Sequence, residues 1–248
     1  MPKKRADVLL VERGLVGTRS KAQALIMAGR VYAGLYSEQK LSKAGHPLAE
    51  DTPLLVKGHD HPWVSRGGLK LAKAIAAFPV APDGAIAMDI GSSTGGFTDV
   101  LLAHGARMVY AVDVGTNQLA WKLRDDQRVV VMEQTNARHL KAQMIEHRPD
   151  VLVCDASFIS LRKVLSPALD LAASDARLVA LIKPQFEAGP EHLSKGGIVR
   201  DPAVRQMVCD DVWNWLTRLS DWTPHQIIES PITGADGNVE YLIFATKA

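Results

Sequence analysis

From Leu69 onward the chain alternates strand-length apolar runs with helix-length amphipathic stretches, and this constrains the fold more than anything else in the sequence. Strands are expected at 85–90, 108–113, 129–133, 151–155, 178–183, 226–229 and 240–246. Helices are expected between them, at 96–103, 138–147, 160–172 and 202–219. Alternating βα units of this length imply a mostly parallel sheet with helices on both faces. The last two strands are separated only by a turn-like run, Ser230-Pro231-Ile232-Thr233-Gly234-Ala235-Asp236-Gly237. They are expected to form an antiparallel hairpin on the sheet. The expected fold class is α/β, Rossmann-like, with a mostly parallel seven-stranded sheet.

The first 58 residues read differently. Residues 6–13 and 18–28 have helical periodicity, with Gly14 and Gly29 as stops and Thr18 or Ser20 as the second cap. Residues 31–36 and 54–57 look like strands, with turn chemistry at Gly45-His46-Pro47 and Glu50-Asp51-Thr52-Pro53. This is a small α+β domain over 1–58. An interdomain linker, 59–66, precedes a larger domain over 67–248.

Charge separates the same two parts. The whole chain carries only +2, but residues 1–58 hold ten Lys/Arg against five Asp/Glu, a net of +5, and the rest has a net of −3. A basic head on a mildly acidic body points to a polyanionic partner at the N-terminus. Cys154 and Cys209 lie in apolar runs, as buried thiols of a reducing compartment do. No apolar run approaches the ~20 residues of a membrane-spanning helix. The basic Met1-Pro2-Lys3-Lys4-Arg5 has no apolar core behind it, so no signal peptide is expected and the cytoplasm is the expected location. His59 and His61 form a His-x-His pair in the linker, without further nearby ligands, and no metal site is expected.

The most informative short stretch runs from Ala87 to Asp99. A strand carrying Asp89 near its end meets Gly91-Ser92-Ser93-Thr94-Gly95-Gly96-Phe97 and then a helix start. In open α/β sheets the ligand crevice lies outside the carboxyl ends of the strands, and glycines there admit a ligand close to the backbone. The spacing is not G-x-G-x-x-G, and no Lys follows Gly96, so neither a dinucleotide nor a nucleoside triphosphate is the natural guest. Asp113 ends the next strand, where a carboxylate can accept from both ribose hydroxyls of an adenosine. Asn136, after the third strand, is placed to touch the adenine. Together these suit S-adenosylmethionine.

At these residues the sequence resembles the TlyA-type, or hemolysin A, family of ribosomal RNA cytidine 2′-O-methyltransferases. The N-terminal matches are Arg5-Ala6-Asp7, Leu10, Arg13-Gly14-Leu15, Ser20, Ala24-Leu25-Ile26, Gly29 and Val31. The body adds Trp63-Val64-Ser65-Arg66-Gly67-Gly68-Leu69-Lys70-Leu71, the Asp89–Asp99 loop and Val109-Tyr110-Ala111-Val112-Asp113-Val114-Gly115. It continues with Cys154-Asp155-Ala156-Ser157-Phe158-Ile159-Ser160, Leu181-Ile182-Lys183-Pro184-Gln185-Phe186-Glu187 and Lys195-Gly196-Gly197-Ile198-Val199-Arg200. One departure is His61-Pro62, where some members carry a basic and a small residue before Trp63-Val64. The resemblance implies an RNA-binding domain of the ribosomal-protein S-four type before an FtsJ-like methyltransferase domain.

The resemblance also implies a catalytic tetrad, Lys70, Asp155, Lys183 and Glu240. Pattern alone marks three of them. Asp155 and Lys183 end expected core strands, where charge is otherwise unwelcome, and Glu240 begins the last strand. A ribose hydroxyl is a poor nucleophile and needs a base within hydrogen-bond reach. Lys183 is assigned as that base and Lys70 as the second positive charge, with Asp155 and Glu240 orienting the amines. Asp155 also counts among the donor-binding residues. Transfer from a sulfonium requires no metal. Arg5, Arg13, Arg19, Lys21, Arg30 and Arg66 are candidate contacts to RNA phosphates, positioning the RNA without reading its sequence. The implied partner is ribosomal RNA or a ribosomal subunit, with no membrane partner required. The alternative readings are the membrane-lytic activity that the hemolysin label suggests, and a methyltransferase acting on another RNA.

Overall fold

In the first sixty residues the buried side chains of two short helices face a few short strands. The computed structural model describes residues 3–13, 15–34, 39–56, 61–234 and 237–248. The chain divides into two units, Met1–Pro62 and Trp63–Ala248, so Trp63–Arg66 of the expected linker belong with the second unit.

In the first unit, β1 (Lys3–Arg5) leads into α1 (Ala6–Glu12), followed by α2 (Arg19–Met27), whose N-terminus is capped by Thr18. Leu9 and Leu10 of α1 and Ala22 and Ile26 of α2 are buried together. Beyond them, β2 (Val31–Ala33) lies between β3 (Gln39–Lys40) and β5 (Leu54–Val56), both antiparallel to it. The expected turn is present at Ala44-Gly45, closed by the His46 amide on the Lys43 carbonyl at 3.0 Å, and it runs into a strand, β4 (Pro47–Ala49), paired antiparallel with β1. Gly14, Tyr36, Lys57 and His59, which carried expectations above, lie outside the described residues.

The second unit opens with α3 (Gly68–Ala77). Then β6 (Ile86–Ile90), α4 (Gly96–Ala103), β7 (Met108–Val112), the short α5 (Trp121–Arg124) and β8 (Val129–Met132) build one half of a sheet. β9 (Val151–Cys154), α6 (Leu161–Leu171), β10 (Arg177–Ile182) and the one-turn α7 (Pro184–Glu187) build the other. A long helix, α8 (Pro202–Thr217), precedes the closing strands β11 (Trp222–Glu229) and β12 (Tyr241–Lys247). The order among the described residues is β11-β12-β10-β9-β6-β7-β8, with β12 antiparallel to both its neighbours and the rest parallel. This is the expected Rossmann-like α/β sheet.

Residues alternate between its faces with period two. Met88 and Ile90 of β6 join the core under α6 and α8, and Ala87 joins the core under α3 and α4. Succession along the chain reverses direction between β6 and β9, which creates a switch point at the carboxyl ends of those strands.

Two expectations need correction. Residues 138–147 are not one helix but two 3₁₀ turns, Ala137–His139 and Ala142–Met144. The Asn136 side chain accepts from the Arg138 amide, and the amides of Glu146 and His147 donate to the Tyr110 hydroxyl at 3.1 and 3.0 Å. Those donors are therefore lost to an α-helical ladder. β11 also begins at Trp222, four residues before the expected start, and carries a bulge between Pro224 and Gln226 because proline donates nothing to a ladder.

Candidate active site

Asp89 is the first charged residue that the sheet forces into the interior. It sits within β6, fully buried, and one carboxylate oxygen accepts from the amide and hydroxyl of Thr98 at 2.9 and 2.7 Å, which caps the start of α4. The other oxygen is buried without a hydrogen-bond partner. Burial pushes this carboxyl up to about 7. The bonds from Thr98 oppose the rise, and the charges of Asp155 and Asp113 add to it.

The glycine turn follows. Gly91 has φ +78, and a side chain there would meet the Ala156 backbone at 2.9 Å, so only glycine lets the ends of β6 and β9 come together. Asp113 lies just past β7. Its two oxygens accept from the amides of Ser93 (2.8 Å) and Gly115 (2.7 Å), which binds the turn to the next loop.

Lys70 rises from α3 and Lys183 from the end of β10, and both are buried. Lys70 Nζ lies 2.7 Å from Glu240 Oε2 and 3.3 Å from Asp155 Oδ2. Lys183 Nζ lies 2.6 Å from Asp155 Oδ1 and 2.8 Å from the Ser157 hydroxyl. The groups form one line: Glu240, Lys70, Asp155, Lys183, Ser157. Buried charges persist only when paired, and here each amine meets at least one carboxylate.

These residues line a cavity of about 400 Å³. Its walls include Lys70, Asp155, Lys183 and Glu240 together with Asp89, Gly91, Ser92, Ser93, Thr94, Gly96, Phe97 and Arg66. Three expected site residues are not in its lining. Gly95 packs against Leu119 and Leu123, Asp113 accepts from the Ser93 amide of the turn, and Asn136 caps its 3₁₀ turn. Arg66 donates to the Thr233 carbonyl.

Sequence reasoning missed Ser157, Phe158, Gln185 and Phe186, which line the same cavity. Phe158 is 89% exposed with φ +63, a rare conformation for an aromatic residue, and its ring lies 5.0 Å from that of Phe186. Glu187 ties the two loops together by accepting from the Ser160 hydroxyl (2.7 Å) and the Leu161 amide (2.6 Å) at the start of α6. Burial raises its carboxyl above the ordinary value.

In the first unit the candidate RNA contacts divide. Arg5 and Arg19 both hold Asp7, at 3.0 and 2.9 Å, with Gln23 at 2.8 Å on the same carboxylate. Asp7 is fully buried, and chiefly the Arg5 guanidinium holds its carboxyl well below the usual range, with Gln23 and Arg19 adding to the effect. Arg13 donates to the carbonyls of Thr52 (2.6 Å) and Glu50. Lys21 and Arg30 are exposed.

The FtsJ-like methyltransferase family model matches residues 63–247, which span the whole sheet and all four residues of the charged line. The chain belongs to that family. Within it, this FtsJ-like methyltransferase is 51% identical to YqxC of Bacillus subtilis (strain 168) over 242 residues, 97% of this chain and 85% of the relative. It is 44% identical over 241 residues to the 16S/23S rRNA (cytidine-2′-O)-methyltransferase TlyA of Mycobacterium tuberculosis, 97% of this chain and 88% of the relative. A solved Streptococcus thermophilus structure superposes with a TM-score of 0.76 at 43% identity, covering 100% of this chain and 90% of that one. The FtsJ-like chain is thus of the TlyA and hemolysin A type. Among its described residues no helix is long and apolar enough to cross a membrane, and no cluster of His, Cys, Asp and Glu could hold a metal.

Proposed function

We propose that the protein transfers a methyl group from S-adenosylmethionine to a ribose 2′-hydroxyl of ribosomal RNA, at a cytidine, in the cytoplasm. The observation that carries this reading is the line Glu240–Lys70–Asp155–Lys183 opening into the same cavity as the glycine turn.

The residues fit the donor. Asp89 leaves one buried oxygen without a partner, the complement of an ammonium such as that of a methionine moiety. Ser92, Ser93 and Thr94 present the glycine turn to the cavity, and Asp113 flanks it as an acceptor for ribose hydroxyls. When bound, the donor supplies an electrophilic methyl group on a sulfonium. The chain's own residues do the rest. The Lys183 amine accepts the proton of the 2′-hydroxyl as the oxygen attacks. Lys70, held between two carboxylates, steadies the developing negative charge, and Asp155 and Glu240 fix the two amines. Phe158 and Phe186, at the cavity beside Lys183, offer aromatic surface to the nucleotide.

The first unit, with a net charge of +5 over residues 1–58, is assigned to the RNA backbone as an S-four-type domain. Incubation with methyl-labelled S-adenosylmethionine and separated, unmodified ribosomal subunits tests the function. Label should enter ribosomal RNA and survive alkali as a 2′-O-methyl cytidine. Label confined to bases, or absent from both subunits, would refute the reading.

A further inference from the structure

The loop after Asp113 is large-featured but poorly buried. Val114 is 68% exposed and Trp121 78%, while Leu119 and Leu123 are buried in the core beside the glycine turn and Ala120 packs partly against it. Apolar burial therefore supplies little of what holds residues 114–121 in place, and polar ties must supply the rest.

Three of those ties converge on Glu133, the residue after β8, while Gln134 adds two more, its amide donating to the Gly115 carbonyl and its side chain to the Thr116 hydroxyl. The Glu133 carboxylate accepts from three successive backbone amides, Asn117 at 2.9 Å, Gln118 at 3.0 Å and Leu119 at 3.2 Å. The Arg124 guanidinium adds a fourth bond at 2.6 Å. Successive amides around one anion form a nest, and Asn117, at φ +53, supplies the left-handed residue this geometry needs. The Arg124 contact, with the three amides, draws the Glu133 carboxyl down to about 2, so it is charged at any working pH.

The loop so held touches the donor turn directly. The Ala120 amide donates to the Thr94 carbonyl at 3.1 Å, and the Thr135 amide, two residues past Glu133, donates to the Asp113 carbonyl at 2.9 Å. Leu119 and Leu123 fill the space against Gly95, where a side chain would collide with both.

We propose that Glu133 is a positioning residue for methyl-donor binding: by clamping the amides of residues 117–119 it fixes the spacing between Asp113 and the glycine turn, without touching donor or RNA. This rests on the donor reading given above. Without the carboxylate the loop samples open arrangements, and the donor must reorder it on binding, which lowers apparent affinity by the competent fraction.

Calorimetric titration of the full chain with S-adenosylhomocysteine tests this, alongside methylation of ribosomal subunits with the donor varied. Glu133→Ala should weaken binding by ~10-fold or more, the loss expected for a charge-assisted hydrogen bond. Glu133→Gln, which keeps an acceptor oxygen, should weaken it less, and Arg124→Ala, which keeps the three amide bonds, least. Donor KM should rise in step with Kd while kcat at saturating donor stays within ~2-fold. Wild-type affinity in a folded Glu133→Ala chain would overturn the proposal, as would a fall in kcat at unchanged donor KM. If Glu133→Ala does not fold, Glu133→Gln decides: equal affinity to wild type overturns the proposal, and a several-fold loss with a rising KM supports it. A wild-type chain that binds no S-adenosylhomocysteine would instead remove the donor reading itself.

Discussion

Lys70 and Lys183 occupy opposite oxygens of one carboxylate, Asp155, at 3.3 and 2.6 Å. Their second partners differ: Glu240 for Lys70, and the neutral Ser157 hydroxyl for Lys183. One amine thus stands between two anions and the other between an anion and a hydroxyl. The structure gives Lys70 and Lys183 different surroundings, a difference that their residue type alone does not carry.

That asymmetry predicts different outcomes for the same substitution. Lys183→Arg keeps a positive charge but cannot supply a neutral amine. It should lower single-turnover methyl transfer by ~100-fold or more, the usual contribution of a general base. Lys70→Arg should be milder. Near-normal rates for Lys183→Arg would remove the assignment, and a dead Lys70→Arg beside it would point to Lys70 as the base.

Asp113, the expected acceptor for the ribose, anchors the amides of Ser93 and Gly115. Asp113→Ala should therefore weaken S-adenosylhomocysteine binding more than Asp113→Asn, which keeps one acceptor oxygen. Calorimetry on both variants reads the order, and circular dichroism checks the fold. Equal affinity across wild type and both variants would count against the site.

Asp89 should make the donor-free protein less stable as pH rises. Its folded value of about 7 lies above the ordinary 3.8, so the folded state favours the protonated form. The associated stability is complete below about 4, is lost progressively as pH rises toward 7 and is absent above it. Denaturant midpoints from pH 4 to 8 should fall, and Asp89→Asn should flatten the slope. S-adenosylmethionine, by pairing its ammonium with this oxygen, should add more stability at pH 8 than at pH 5.

The basic residues of the first unit should separate into two kinds. Arg5 and Arg19 are tied to buried Asp7 and Arg13 to two backbone carbonyls, so alanine at any of them should lower the melting temperature of this unit. Lys21→Ala should leave melting unchanged and reduce the slope of log affinity against log salt by about one. RNA titration at several salt concentrations, with melting curves for each variant, distinguishes them. A salt slope unaltered by Lys21→Ala would take that residue out of the RNA contact.

The sheet is legible because its central strands are mostly apolar and glycines mark several of its turns. Asp89, Asp155 and Lys183 stood out as charges at the ends of such strands. Phe158 did not, because an aromatic beside apolar residues reads as core, and the left-handed backbone that pushes it outward leaves no mark in composition. Asp7 was quoted only as part of a motif, and its hold on Arg5 and Arg19 depends on contacts across a helix pair. Residues 138–147 misled because their apolar spacing is helical, while the hydroxyl that claims their amides belongs to Tyr110, over thirty residues earlier. Glu133 looked like one more strand-end acid, and only the folded loop shows three amides turned toward it.

The placement of β12 between β10 and β11 has a kinetic consequence. Glu240 reaches Lys70 across 170 residues of sequence, so their pairing belongs to the slow, non-local part of folding. Without the final hairpin in the sheet, Asp155 alone of the two carboxylates stands beside Lys70 and Lys183. The charged line is complete only when β12 lies in the sheet, so assembly of the site and completion of the sheet are one event.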